Sequence, residues 1–221
     1  MNRIIFLVLF SIAGVTFTYF MTRPKPNAES LPIINPIDVP EDMVDPELLR
    51  VGYGHTIGKF SFKNQNNKTI TQEDVRGKVY VVEYFFTTCK TICPRMNAQM
   101  QRVHEKFRKN DDVKILSFSV DPETDTVEQL KRYADAHNSK GNQWNFLTGK
   151  RDDIYELART SFFTLKPTEA ENQGDVGSDF IHTNNFVLVD KLMRIRGYYD
   201  GTNPKDVDKM MRDMELLLKE E

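Results

Sequence analysis

Val79-Tyr80-Val81-Val82-Glu83-Tyr84-Phe85-Phe86 runs straight into Thr87-Thr88-Cys89-Lys90-Thr91-Ile92-Cys93-Pro94, and the junction between the two decides the fold. The first half is dense in Val, Tyr and Phe and is broken by one charge, Glu83, the pattern of a strand buried on both faces. Beyond the junction, Met96, Met100, Val103 and Phe107 recur at steps of four, three and four, which marks one face of a helix. The cysteines therefore sit where a central strand hands over to a helix N-terminus, the place where a thiolate forms most easily. They are the only two in 221 residues, so the cysteine chemistry of the chain is concentrated here.

Working outward, Phe60 to Lys63 and Lys68 to Ile70 read as two short strands around an Asn-rich turn, followed by a capped helical turn at Thr71 to Asp74. Val113 to Val120 is a second β run that stops at Asp121-Pro122, and the Asp/Thr cluster after it caps a helix carrying Val127, Leu130, Tyr133 and Ala134. Trp144 to Leu147 and Asp152 to Arg159 add a strand and a helix. This β-α-β-α-β-α order calls for parallel pairing. A polar loop, Lys166 to Ser178, delivers the chain to Asp179-Phe180-Ile181-His182-Thr183-Asn184. Phe186 to Val189 and Met193 to Tyr198 then form an antiparallel hairpin, and Pro204 to Leu218 an amphipathic helix. The predicted architecture is α/β and thioredoxin-like: a central mixed sheet flanked by helices, with an N-terminal hairpin and thiols at the first strand-to-helix turn.

The N-terminus adds two appendages. Ile4 to Phe20 is seventeen uncharged, mostly apolar residues behind Arg3, nearly enough helix to cross a bilayer core of about 30 Å. No small-residue cleavage site follows it, which favours an uncleaved single-pass anchor over a signal peptide, and no cysteine follows it to carry a lipid. Six of the ten prolines fall between Met21 and Arg50. That stretch reads as a linker holding the domain off the membrane, with docking of Ile33, Ile34, Ile37 and Val39 on the domain as the alternative. The divisions are thus 1–21 anchor, 22–50 linker and 51–221 domain. Net charge is −2 with no basic run, which argues against nucleic acid as a partner.

Three readings compete for Cys89 and Cys93. A structural bridge fits cysteines four apart on a helix, but closing so short a loop gains only about 2 kcal/mol. A thiol-disulfide exchanger usually has two residues between its cysteines, and here there are three. A metal site needs a further donor; two thiolates suit a soft ion such as Cu(I), and an imidazole extends the site to Cu(II). Of the four histidines, His104 and His137 read as solvated helix residues and His55 lies in a Gly-flanked segment. His182 opens the hairpin that packs beside the first strand-to-helix turn in such a fold, which makes it the candidate ligand. Met96 and Met100, like Met210, Met211 and Met214, read as helix packing. A peroxidase would show Pro, Thr and Arg as a unit around its cysteine, a pattern not found here. A pure interaction domain would leave both cysteines replaceable.

FFTTCKTICP, the SVDPETDT segment at Ser119 to Thr126, and DFIHTNNFVLVD at Asp179 to Asp190 together resemble the SCO/SenC family of copper-binding, thioredoxin-like proteins, over roughly Val51 to Leu218. The resemblance implies that Cys89, Cys93 and His182 bind copper as Cu(I), Cu(II) or both. Asp121 matches an aspartate near the site in that family. The implied task is copper delivery to the binuclear centre of cytochrome c oxidase subunit II, or reduction of that centre's cysteines before copper enters. An upstream copper donor or thiol reductant is implied as well. The implied location is a bacterial cytoplasmic membrane, with the domain on the extracytoplasmic (periplasmic) side. One departure is Lys90, where the family often has proline; a cation there is expected to lower the thiol pKa and oppose added positive charge. The second reading is an extracytoplasmic thiol-disulfide reductase using Cys89 and Cys93 without an essential metal.

Overall fold

The strands, in chain order, are β1 (Ser61–Asn64), β2 (Thr69–Thr71), β3 (Val79–Phe85), β4 (Val113–Ser119), β5 (Trp144–Thr148), β6 (Asn185–Val189) and β7 (Ile195–Asp200). The helices of ten residues or more are α1 (Cys93–Phe107), α2 (Val127–Ala136), α3 (Arg151–Thr160) and α4 (Pro204–Lys219), and short helical turns lie between Pro36 and Leu49 and at Gln72–Asp74. These come from a computed structural model that describes residues 12, 14, 30–50, 52–139, 141–164 and 184–220. The sheet order is β2-β1-β5-β4-β3-β6-β7. β3 pairs in parallel with β4 and β4 with β5, while β1, β2, β6 and β7 join antiparallel at the two flanks. The result is a mixed sheet with its parallel strands in the centre.

β3 is buried at every position because both of its faces are covered. Its side chains alternate between two apolar layers, as strand geometry requires. Tyr80, Val82 and Tyr84 join Phe62, Phe118 and the Ile154 and Ala158 face of α3. Val79, Val81 and Phe85 face Cys93, Met96, Met100 and Val103 of α1, with Leu130 of α2 and Val207, Met210 and Met214 of α4. The methionines are core, as their spacing predicts. Local chemistry sets the helix starts: Thr126 accepts the Gln129 N–H at the head of α2, and Asn203 accepts the Lys205 N–H before Pro204 opens α4. Thr71 and Asp74 form the expected capping box.

Three expectations change. Residues 31–50 do not form a free linker: Ile34 bonds to Ile195 at 2.8 Å, Val44 is in the core, Asp45 pairs with Arg159, and Arg196 reaches the Leu31 and Pro32 carbonyls. Ile34 and Val39 dock, whereas Ile33 and Ile37 stay exposed. His104 is buried rather than solvated; its Nδ1 meets Gln143 Oε1 at 2.7 Å and its ring lies beside Trp144. The cysteines do not share a helix, since α1 begins at Cys93 and Cys89 lies in the loop before it. The anchor expected over Ile4 to Phe20 falls outside the described residues except at 12 and 14. Among the described residues no helix is long and apolar enough to cross a membrane.

Candidate metal and thiol site

The site grows from the C-terminal end of β3. After Phe85 the chain leaves the sheet, Cys89 N–H closes a turn on the Phe86 carbonyl at 3.2 Å, and α1 starts at Cys93 with no side chain capping its first turn. Pro94 fits there because it lacks the N–H that would otherwise be orphaned. The uncapped N–H groups face the loop, and that is where Cys89 lies.

The two thiols, both free, are chemically unequal. Cys89 is half-buried. Burial opposes its ionisation, but hydrogen bonds from the Cys93 thiol and N–H, and from the Thr91 N–H and hydroxyl, outweigh burial and bring it down to about 7. Cys93 is 3% exposed. Desolvation, its bond to Cys89 and the charges of Cys89 and Glu83 push it up to about 12. One thiol is therefore a ready nucleophile or metal ligand near neutral pH, and the other ionises only when a metal or a forming disulfide takes its proton's place. Lys90 is exposed and is not among the groups that hold Cys89 down. Neighbouring N–H, S–H and O–H donors do what was expected of its charge.

Two buried carboxyls lie at this end of the sheet. Glu83 faces the α1 layer, directly across from Ser117 on β4, whose hydroxyl donates to Oε1 at 2.6 Å while Trp144 Nε1 donates to Ser117 at 2.8 Å. Its Oε2 is buried with no hydrogen-bond partner among the described residues. Desolvation lifts Glu83 to about 7 despite the Ser117 bond. Asp125, fully buried, accepts from the Thr87 N–H, the Thr87 hydroxyl and the Ser119 hydroxyl, and desolvation raises its pKa as well. Asp121, the aspartate singled out in the sequence, is half-exposed; its N–H donates to Ser119 Oγ and its charge helps push Asp125 up. Asp125 was legible only as a member of the same DPETDT cluster, and Glu83 as the lone charge in an apolar run.

His182 and the loop Lys166 to Ser178 lie outside the described residues. Described residues resume at Asn184, where the carbonyl accepts from Gly201 N–H at 2.7 Å and Nδ2 donates to Asp200 at 2.8 Å. The antiparallel register Val82↔Val187 places the start of β6 toward the thiol end of β3. The other histidines are elsewhere or engaged: His55 meets the Ser161 carbonyl at 2.9 Å and burial lowers its pKa, and the His137 ring lies tilted against Tyr133, whose carbonyl its Nδ1 meets at 2.9 Å. Among the described residues no three His, Cys, Asp or Glu side chains converge to hold a metal. The thiol pair is a soft two-donor set, and a complete site takes a donor from beyond them.

A mixed sheet with a dithiol at the turn from its central strand into a helix defines a thioredoxin-like protein with a C-x-x-x-C centre. Residues 52–219 match the SCO1/SenC family model. The chain belongs to that family. It is 36% identical over 163 residues to a protein described as an SCO1 homolog from Bacillus subtilis, a match spanning 72% of this chain and 81% of the relative. It superposes on BsSco, a Sco-family cytochrome c oxidase assembly protein in which a disulfide switch has been identified, with a TM-score of 0.61 and 33% identity over 74% of this chain and 93% of that one. Copper-bound ScoI of Bradyrhizobium japonicum shares the fold, with a TM-score of 0.58 and 23% identity over 74% and 99% of the two chains.

Proposed function

We propose that this chain is a membrane-anchored copper chaperone of cytochrome c oxidase assembly, with Cys89, Cys93 and His182 as ligands and the binuclear copper centre of subunit II as destination. The observation that carries the reading is the unequal thiol pair at the head of α1. A thiolate available near neutral pH captures a soft ion, and the buried second thiol closes the site once its proton leaves. Family membership and the copper-bound relative support copper as the cargo. His182 is the third donor: it stands two residues before Asn184, which Asp200 and Gly201 fix near the thiol end, and two residues of chain span at most about 7 Å. Asp121 tunes the site through Asp125. The anchor over residues 4–20 places the domain on the extracytoplasmic face of the membrane, and an upstream copper donor or thiol reductant loads or resets the pair.

Titration of the reduced protein with Cu(II), followed by its thiolate-to-copper absorption, tests the ligand set. One equivalent saturates the wild type, and His182→Ala weakens binding at least tenfold and shifts the band while the fold is retained. An unchanged band and affinity in His182→Ala remove that residue from the site.

One observation favours a second reading, reduction of the target's cysteines. Cys89 at about 7 is matched to attack on a disulfide at neutral pH, with Cys93 as the resolving thiol. That activity needs no metal and is indifferent to His182→Ala, so the same variant separates the two roles.

A further inference from the structure

Thr87 roots the thiol loop, and both its N–H and its hydroxyl donate to one side chain. Its N–H reaches the Asp125 carboxylate at 3.1 Å and its hydroxyl at 2.5 Å, and its own oxygen accepts from Gln129 Nε2 at 3.1 Å. Asp125 is fully buried and also accepts from Ser119 Oγ at 2.5 Å. One carboxylate thus ties together the ends of β3 and β4 just ahead of α2. Beyond Thr87 the loop is held by short-range contacts. Cys89 N–H closes a turn on Phe86, its sulfur meets the Cys93 and Thr91 donors, and the Lys90 and Thr91 side chains are exposed.

We propose that Asp125 is a positioning residue for the thiols, setting through Thr87 the height and direction from which the loop presents Cys89 to the N–H donors at the head of α1. The inference rests on the reading of Cys89 and Cys93 as the working pair and goes beyond it by assigning the residue that aims them. Burying a carboxylate with no cation beside it is costly, and three hydrogen bonds to one loop root and one strand end offset that cost only while the loop root stays in place. The loop tip is left free to exchange what it binds, and the root is not. Asp125 carries no role in ligation or proton transfer under this account.

The test uses the reduced, metal-free, full-length protein, so that it stands apart from copper binding. The rate of Cys89 alkylation by iodoacetamide at pH 7 is measured together with the thermal midpoint for Thr87→Val, Thr87→Ser and Asp125→Asn. Thr87→Val slows alkylation by more than about twofold, because the loop root no longer donates its hydroxyl to Asp125. Thr87→Ser, which keeps the hydroxyl, restores the wild-type rate. Asp125→Asn slows it too, although loss of a nearby negative charge by itself would speed it. A rate within about twofold of wild type in Thr87→Val, or a faster rate in Asp125→Asn, overturns the proposal even if both variants are less stable. Should Asp125→Asn fail to fold, the Thr87 pair decides the question alone. No metal enters this assay, so failure of the copper-ligand assignment, read from His182→Ala under Cu(II), leaves its result unchanged.

Discussion

The two ends of the sheet bury charge in opposite ways. At the end away from the thiols, the β6–β7 turn holds Asp190 against Arg194 and Arg196, with side-chain exposures of 5% for Asp190 and 3% for Arg196. Arg196 also pairs with Glu220 at 2.7 Å and donates to the Leu31 and Pro32 carbonyls. At the thiol end, Glu83 and Asp125 are equally buried, but their partners are hydroxyls and an amide rather than cations. The electrostatic result follows directly. Burial raises Asp190, yet the arginines outweigh burial and hold it below the usual carboxylate range, while Glu83 and Asp125 go up. Paired charge fastens the N-terminal segment, the hairpin and the C-terminus together. Burial, the bond to Cys89 and the charge of Glu83, an acid with no cation beside it, keep Cys93 protonated until something cationic arrives.

The largest contrast to test lies within the thiol pair. Between pH 7 and 8 Cys89 should alkylate roughly a thousandfold or more faster than Cys93 in the reduced protein, with half-maximal rate near the thiol value of about 7. Mass spectrometry of single-hit adducts reads this, and equal labelling would dissolve the asymmetry. Next comes the far clamp. Arg196→Ala leaves Asp190 buried with a weakened partner set and should cost about 3–5 kcal/mol in denaturant unfolding while leaving Cys89 reactivity as it was. A small loss would mean that the network contributes little.

Glu83→Gln follows, and its sign is opposite. The native carboxyl, at about 7, ionises later than the unfolded one at about 4.5. The unfolded state therefore sheds its proton first as pH rises. Stability falls across that window and levels off above it. The total is about 3 kcal/mol. The Gln variant should lack that decline and overtake the wild type above pH 7. Parallel stability curves for the two proteins would show that Glu83 does not titrate as described. The smallest effect belongs to Lys90→Ala, which should change stability by less than about 0.5 kcal/mol and leave the Cys89 rate nearly unaltered, because the side chain is solvent-facing.

Why some of this was legible in the sequence and some was not comes down to which interactions are local. The apolar run Val79 to Phe86, the steps of four and three after Cys93 and the Thr71 capping box each report a periodicity or an i to i+3 contact, and each becomes the element expected. The resemblance carried by CKTICP, SVDPETDT and DFIHTNN is matched by membership in the SCO1/SenC family. What escaped depends on contacts between distant parts of the chain. Prolines 32, 36, 40 and 46 describe an extended chain equally well whether it hangs free or is pinned by Arg196, 164 residues beyond Pro32. His104 looks solvated until Gln143 is brought beneath it. Asp121 drew attention because it matches an aspartate near the site in the family it resembles, but the strand ends converge on Asp125. Spacing alone also suggested two cysteines on one helix, where the chain keeps one of them in a loop.

The central claim is that the two thiols hold one copper ion together. The direct measurement is metal analysis of the reduced protein after exposure to excess Cu(I) and removal of loosely bound metal, repeated on Cys89→Ser and Cys93→Ser. The account predicts one copper per chain in the wild type and less than about a tenth of that in either variant, since a single thiolate does not make a tight soft-metal site. Full copper retention in either serine variant, or no retained copper in the wild type, would contradict it.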